Sequence, residues 1–509
     1  MTPSLEPLHP RRPGFRRALV LALLTAGWTA PPTLPAPPPA ATARPPAEWT
    51  VYHVYLATFR NGDLANDAAG LAGWRDTEYA GGDLAGVLAS LDHIQGLGAD
   101  AIWLSPMFAA RTSHGYDVTN YFAVGEAVGV AGDRTASLAL WRRLRDEAHA
   151  RGLKLILDLP LNHAARAYDR RDGDPWQLGP RATGARQSAE KLWESWGAGY
   201  RYWDFGRAPT REFLRRVALH WLVDEGADGL RLDYVRGVPL DFWRELAAEV
   251  EARAPGRLLL GECWADELGA EGNVAAIAEC AGAPAPAPFT ALLDFPLQIA
   301  LADAFTGKAP AARLAQVLDL EAARWGASFQ PARFLDNHDL ARFVDRAGDR
   351  AALAAALAFA AAQGGPLVLF YGTETALGGG PVKPGFTDGG RLPMPWTKLD
   401  QTLVTDVTEI LTLRRAHPAM RRGERRGLVA DADVVVDARL ADGELLLIGL
   451  NASGSARRVE FAAPGGLPTG AALATLRGAA PTWEGDRLSW TLPPRSTALA
   501  VYGPDAARR

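Results

Sequence analysis

The chain is poor in cysteine, in surplus positive charge and in long hydrophobic runs, and each shortage removes a class of protein. Two cysteines in 509 residues cannot form a disulfide-rich scaffold or a cysteine-based zinc framework. Cys263 and Cys280 offer one possible bridge, but sequence alone does not fix the geometry it needs. No cysteine lies near the N-terminus, which excludes a lipid-modified cysteine there. With 54 Lys and Arg against 58 Asp and Glu, the net charge is -4 and the pI near 6.2, so the basic footprint of a nucleic-acid binder is missing. Beyond the N-terminal region no unbroken apolar stretch reaches membrane-spanning length. No internal repeat is evident.

What remains is a soluble globular composition, 48% hydrophobic and 22% charged. Sixteen tryptophans are many; flat indole faces suit sugar rings, although most buried ones are core. At the N-terminus, Arg11, Arg12, Arg16 and Arg17 precede the apolar run Ala18 to Ala26 and a Pro-rich stretch, with Ala41-Thr42-Ala43 as a small-x-small cleavage site. Residues 1–43 therefore read as a signal peptide and Pro-rich segment. Export and release are expected, to the extracellular space or the periplasm, with no membrane partner afterwards.

From Trp49 onward, short apolar runs alternate with helical periodicity. Eight candidate strands occur in order: "WTVYHVYLATF", "AIWL", "LKLILDL", "GLRLD", "LLLGE", "ALLDF", "ARFLD" and "PLVLFYG". Helical stripes such as Leu84, Val87, Leu88, Leu91, Ile94 and Leu97 lie between them. The pattern predicts a (β/α)8 TIM barrel over residues 44–417, with a polar excursion after strand 3 at 163–204. After about Pro418 short strands with turn signals predict a C-terminal antiparallel β-sandwich over 418–509.

In such a barrel the reacting groups stand at the C-terminal strand ends. Strand 3 ends in Asp158 and runs into Asn162-His163; strand 4 carries Arg231 and Asp233, strand 5 Glu262, and strand 7 runs into His338-Asp339. One acid at a strand end usually caps the next helix, but several on one rim point to paired acid and base chemistry. Glycoside hydrolysis needs such a pair, and carboxylates on adjacent strands suit the ~5 Å separation of a retaining enzyme. Arg231 and Asp233, at i and i+2, leave the same face of their strand. The guanidinium is expected to lower the Asp233 pKa, while like charges raise that of Glu262.

The segments "DLPLNH", "GLRLDYVRG", "GECW" and "FLDNHD" resemble, in order and spacing, the four short conserved segments of the α-amylase family, glycoside hydrolase family 13. "HGYDVTNYF" from His114 and "GGRLPMPW" from Gly389 resemble two accessory segments, so the likeness spans about Trp49 to Trp396. The resemblance implies Asp233 as nucleophile, Glu262 as acid/base and Asp339 as transition-state stabiliser. It implies Tyr116 stacked under the sugar, and His163, His338 and Arg231 binding hydroxyls or orienting the nucleophile, with Asp117 supporting the pocket. The implied partner is an α-linked glucan. Arg236-Gly237 stands where many starch-acting members carry Lys-His, Tyr234 replaces a usually small residue, and Asn120 replaces a common aspartate.

"NGDLAND" and "GGD" supply Asn61, Asp63, Asn66, Asp67, Gly81 and Asp83, an oxygen-rich set of the kind calcium takes. By composition alone it is an Asx-rich turn. Its spacing resembles the calcium loop of cyclodextrin glucanotransferases and neopullulanase-type family members, which implies Ca2+ there. The reading is a secreted retaining α-glucan hydrolase acting on starch, maltodextrin or cyclodextrin. Its alternatives are an α-glucanotransferase using the same site and, more remotely, a catalytically silent glucan-binding barrel.

Overall fold

The computed structural model describes residues 44–67, 79–165, 168, 178–179, 200–379 and 390–503. The eight strands β1 (Thr50–Val54), β2 (Ala101–Leu104), β3 (Lys154–Leu159), β4 (Gly229–Leu232), β5 (Leu258–Gly261), β6 (Ala291–Leu293), β7 (Gln330–Phe334) and β8 (Leu367–Phe370) pair in parallel around a closed barrel. Closure joins Thr50 to Leu367. Each overlaps a run read from the sequence, although Leu56–Phe59 of the first run is a short helix and β7 starts at Gln330, and the (β/α)8 class is the one observed.

Strand alternation divides the core in two. Val51, Ala101, Trp103, Ile156, Leu258, Leu260, Ala291, Leu293, Ala332 and Val368 form one buried cluster inside the barrel. Their neighbours along the same strands, among them Tyr52, Ile102, Leu157, Leu230, Leu259 and Leu369, belong to the larger cluster that packs the surrounding helices. The short hydrophobic spacing seen before β2 forms two helices, Leu84–Leu88 and Leu91–Leu97, with Leu84, Val87, Leu91, Ile94 and Leu97 buried. At Gly229 a Cβ would stand 2.7 Å from the Leu258 carbonyl oxygen, so the start of β4 tolerates no side chain.

Most of the excursion after β3 lies outside the described residues; strands His163–Ala165, Leu178–Gly179 and Tyr200–Trp203 form a small antiparallel sheet there. Beyond the barrel, a five-stranded sheet and a three-stranded sheet pack face to face. Val434, Val436, Leu445 and Leu447 meet Phe461, Leu488 and Trp490 between the two sheets. Val435, Leu446, Ile448 and Leu450 face the other way into the barrel's outer cluster. This double burial explains why these strands read as unbroken apolar runs rather than as alternation. Among the described residues no helix is long and apolar enough to cross a membrane.

Candidate active site

The polar residues at the C-terminal strand ends continue the inward-facing rows. Asp158 follows Ile156 on β3, Arg231 follows Gly229 on β4, and Glu262 follows Leu260 on β5. Register pairs Asp158 directly with Arg231 across the β3–β4 ladder. Arg231 is fully buried. Burying a lone cation costs several kcal/mol, so its partners decide whether the arrangement is tolerable. Its Nη1 donates to Asp158 Oδ1 at 2.8 Å and Oδ2 at 3.0 Å, and to Asp233 Oδ1 at 2.8 Å. Its Nη2 lies 2.7 Å from Glu262 Oε2, an ion-pair contact not angled as a hydrogen bond. One guanidinium thus touches three buried carboxylates, and it sits over the Trp103 and Tyr116 rings at 5.2 and 5.8 Å.

Three carboxylates cannot all remain ionised around one cation in so dry a place. Burial pushes Glu262 up to about 8, with the Asp233 and Asp339 charges adding to the rise against the pull of Arg231. Burial also pushes Asp233 up to about 7 and Asp158 up to about 6, although Arg231 pulls both down. The expectation that Arg231 would lower the Asp233 pKa is therefore corrected: desolvation outweighs the guanidinium, whose charge is shared among three acids. Asp158 and Asp233 keep true hydrogen bonds from Arg231 and Glu262 does not, so the shared proton belongs on Glu262.

Asp339, the more exposed of the acids, accepts from Arg391 Nη2 at 3.1 Å and lies 3.1 Å from His338 Nε2. Tyr116 stacks on His338 with ring centroids 5.4 Å apart, and its hydroxyl donates to Asp158 Oδ2 at 2.8 Å and meets His338 Nε2 at 2.7 Å. His163 Nε2 hydrogen-bonds the Tyr116 backbone oxygen at 3.0 Å, so it braces Tyr116. Asp117 accepts from Thr112 Oγ1 at 2.5 Å and the Arg111 amide at 3.4 Å, which ties the loop leading to Tyr116. Arg236 lies on the short turn Val235–Gly237 after Asp233, and its charge reaches the Tyr234 hydroxyl. The structure thus gathers Tyr116, His163, Arg231, Asp233, Glu262, His338 and Asp339 on one rim, with Asp117 and Arg236 at its edges.

Three contributors have no signal in the sequence, and a fourth, Asp158, is visible there as a strand end while its pairing with Arg231 depends on register. Trp103 donates from Nε1 to Asp158 Oδ2 at 3.0 Å, yet in "AIWL" it reads as core. Arg391 lies 52 residues from its partner Asp339, with no periodicity to connect them. Tyr200 packs edge-on against His163 at 4.7 Å, from a segment with no strand pattern of its own. Cys263 and Cys280 form a disulfide, anchoring the residue after Glu262 to the helix Gly269–Ala281. Trp264 stacks on Phe295, with centroids 4.4 Å apart.

The oxygen-rich loop fits a cation only in part. Asn61 Oδ1 is buried without a hydrogen-bond partner, and Asn61 Nδ2 donates to both oxygens of Asp67, at 2.9 and 3.0 Å. At Gly81, φ is 79° and a Cβ would collide with the Asn61 side chain, so the close approach requires glycine. Asp83, however, accepts from the Gly62, Asp63 and Gly86 amides and from Asn66 Nδ2 as the cap of helix Leu84–Leu88. Asp63 Oδ1 accepts from the Ala65 amide, an Asx turn. Among the described residues no group of three or more His, Cys, Asp or Glu side chains is placed to hold a metal. The available donors are mainly Asn61, Asn66 and Asp67.

The catalytic-domain model named alpha amylase matches residues 53–174. A cyclomaltodextrinase from a Bacillus species is 28% identical over 443 residues, covering 79% of this chain and 72% of its own. The intracellular maltogenic amylase of Bacillus subtilis is 27% identical over 353 residues, covering 64% of this chain and 55% of its own. Among solved structures, an Anoxybacillus α-amylase superposes with a TM-score of 0.76 at 27% identity, over 90% of this chain and 98% of that one. The expected export is corrected by these relatives, since the Bacillus subtilis enzyme is intracellular by name. An apolar run flanked by arginines is a compositional signal that does not by itself specify secretion, and residues 1–43 lie outside the described residues.

Proposed function

This chain belongs to the α-amylase family of glycoside hydrolases, and on that premise we propose that it cleaves α-glucosidic bonds of cyclomaltodextrins and maltodextrins with retention of configuration. The observation that carries this reading is the pair of carboxyl groups, Asp233 and Glu262, held at opposite ends of the single Arg231 guanidinium. Two carboxyl groups that share one guanidinium at adjacent strand ends supply the nucleophile and the acid/base that retention needs. Asp233, with Oδ1 occupied by Arg231, attacks the anomeric carbon through Oδ2. Glu262, which holds the proton, delivers it to the glycosidic oxygen, then takes one from the water that releases the sugar. Asp339, steadied by Arg391 and His338, is placed to accept sugar hydroxyls, and Tyr116 offers its ring as a platform.

The cyclic substrate class is supported by the cyclomaltodextrinase relative. Calcium is part of the same proposal, with Asn61, Asn66 and Asp67 supplying oxygens and Asp83 holding the loop through its helix cap. The cation would neutralise acidic charge in the loop. The test is a digest of β-cyclodextrin and maltoheptaose followed by proton NMR of the newly released anomer, with the Asp233→Asn variant alongside. Wild type releases the α-anomer first, and the variant loses at least ~10³-fold in kcat. Release of the β-anomer, or near-normal turnover by the variant, overturns the reading.

A further inference from the structure

Only four non-glycine residues among those described have a positive φ, and Tyr234 is the one that directly follows a proposed catalytic carboxylate. Its backbone, at φ 41° and ψ 56°, is left-handed, a conformation an aromatic residue adopts only when the surroundings impose it. The consequence is a pair of consecutive amides facing one residue. Tyr234 N–H donates to Glu262 Oε2 at 3.1 Å, and Val235 N–H donates to the Glu262 backbone oxygen at 2.9 Å. The turn is closed within by Gly237 N–H, which donates to the Tyr234 carbonyl at 3.0 Å, and pinned from outside by Trp243 Nε1, which donates to the Val235 carbonyl at 3.0 Å. The Tyr234 side chain is 5% exposed, beside the charges of Arg236 and Glu267 and near Tyr202.

We propose that Tyr234 is a positioning residue whose left-handed backbone aims its N–H at Glu262 Oε2 and so fixes Oε1 as the oxygen that carries the catalytic proton. Arg231 Nη2 and the Tyr234 amide converge on Oε2, so negative charge gathers there and the hydrogen resides on Oε1. As the bond from the anomeric carbon to Asp233 forms, the bond to the glycosidic oxygen breaks, and that oxygen's electron pair takes the proton from Oε1, leaving Glu262 ionised. The inference rests on Glu262 being the acid/base, and it adds that the backbone of the residue after the nucleophile orients it. It also gives a reason for the unusual tyrosine: a buried ring holds the turn in a conformation that glycine would adopt without help.

The test compares substitutions of similar bulk and opposite backbone preference in the full chain, Tyr234→Asn and Tyr234→Val, together with Tyr234→Gly. Asn and Gly enter the left-handed region readily, whereas β-branched Val does not. Each variant is assayed on maltotriose, whose leaving group needs a proton, and on an aryl maltoside with an acidic phenol leaving group, which does not. For Val, kcat/KM on maltotriose is expected to fall at least tenfold more than on the aryl maltoside, and for Asn and Gly the two fall together. If Val does not fold, Tyr234→Ala against Tyr234→Gly makes the same comparison. Equal losses on both substrates in the variants that disfavour the left-handed backbone overturn the inference, as does the same leaving-group bias in the Gly variant. Wild-type inactivity on both substrates would instead be a failure of the proposed function.

Discussion

Arg231 and Asp158 occupy paired positions on neighbouring barrel strands and meet at 2.8 Å, with both side chains inaccessible to solvent. Asp158 is thereby the direct counterion of Arg231, and Asp233 shares the same Nη1. Arg231→Lys keeps the charge but loses the fork, since an ammonium is a point donor that cannot reach both Asp233 and Glu262 from separate nitrogens. The expected result is a kcat loss of roughly 10²–10³-fold and a destabilisation of about 3 kcal/mol, because buried carboxylates lose their partner. Steady-state kinetics and a urea melt check it. A lysine variant with normal kcat would mean that the fork has no part in orienting the nucleophile.

The active protonation state needs Asp233 ionised and Glu262 protonated. With Asp233 raised to about 7 and Glu262 to about 8, kcat/KM should rise through neutrality and fall again soon above it, a narrow bell. An ordinary exposed aspartate would place the acid limb near pH 4. A pH profile with full activity at pH 5 would therefore show that substrate-free Asp233 is better solvated or better paired than the geometry implies.

Much of this site is legible in the sequence for a physical reason: strand periodicity is two, so Arg231 and Asp233 share a face whatever the rest of the fold does. The acids stand at strand ends because the barrel puts its open rim there. The Asp158–Arg231 contact needs the register between strands, which depends on how the whole barrel closes. The direction of the Asp233 shift needs depth, because burial and the guanidinium act in opposite directions and only burial in three dimensions decides between them. Arg391 reaches Asp339 from a distant segment, and no local pattern announces such a pair. The unbroken apolar runs of the C-terminal strands were legible as strands, but their double burial follows from packing the sandwich on the barrel.

Glu262→Gln should make the enzyme inactive and more stable. A carboxyl whose folded-state pKa is raised to about 8 from an ordinary 4.5 binds its proton more tightly when folded. Folding stability is consequently unaffected below about pH 4 and declines as pH rises between the two values. Glutamine removes that penalty, while Asp158 and Asp233 remain to balance Arg231. The expected gain is a few degrees in Tm at pH 8 and none at pH 4, read by calorimetry at both pH values. An equal gain at both would point to packing rather than to ionisation.

Among the described residues of the oxygen-rich loop, the only buried side-chain oxygen without a hydrogen-bond partner is an amide. Asn61 Oδ1 is buried without a partner, beside the Asp67 carboxylate that its own Nδ2 holds. A bound cation would satisfy that oxygen and neutralise the adjacent Asp67 carboxylate. Calcium at a hundred times its Kd would stabilise the fold by about 2.7 kcal/mol, enough to raise Tm by a few degrees. Chelation should lower the transition of wild type, and Asp67→Ala should abolish the difference between chelated and calcium-loaded protein. Because Asp83 is already committed to capping Leu84–Leu88, Asp83→Ala should lower Tm in both states. A wild-type transition indifferent to calcium, with no metal found by elemental analysis, would leave Asn61, Asp63 and Asp67 as an Asx-rich turn closed by its own hydrogen bonds.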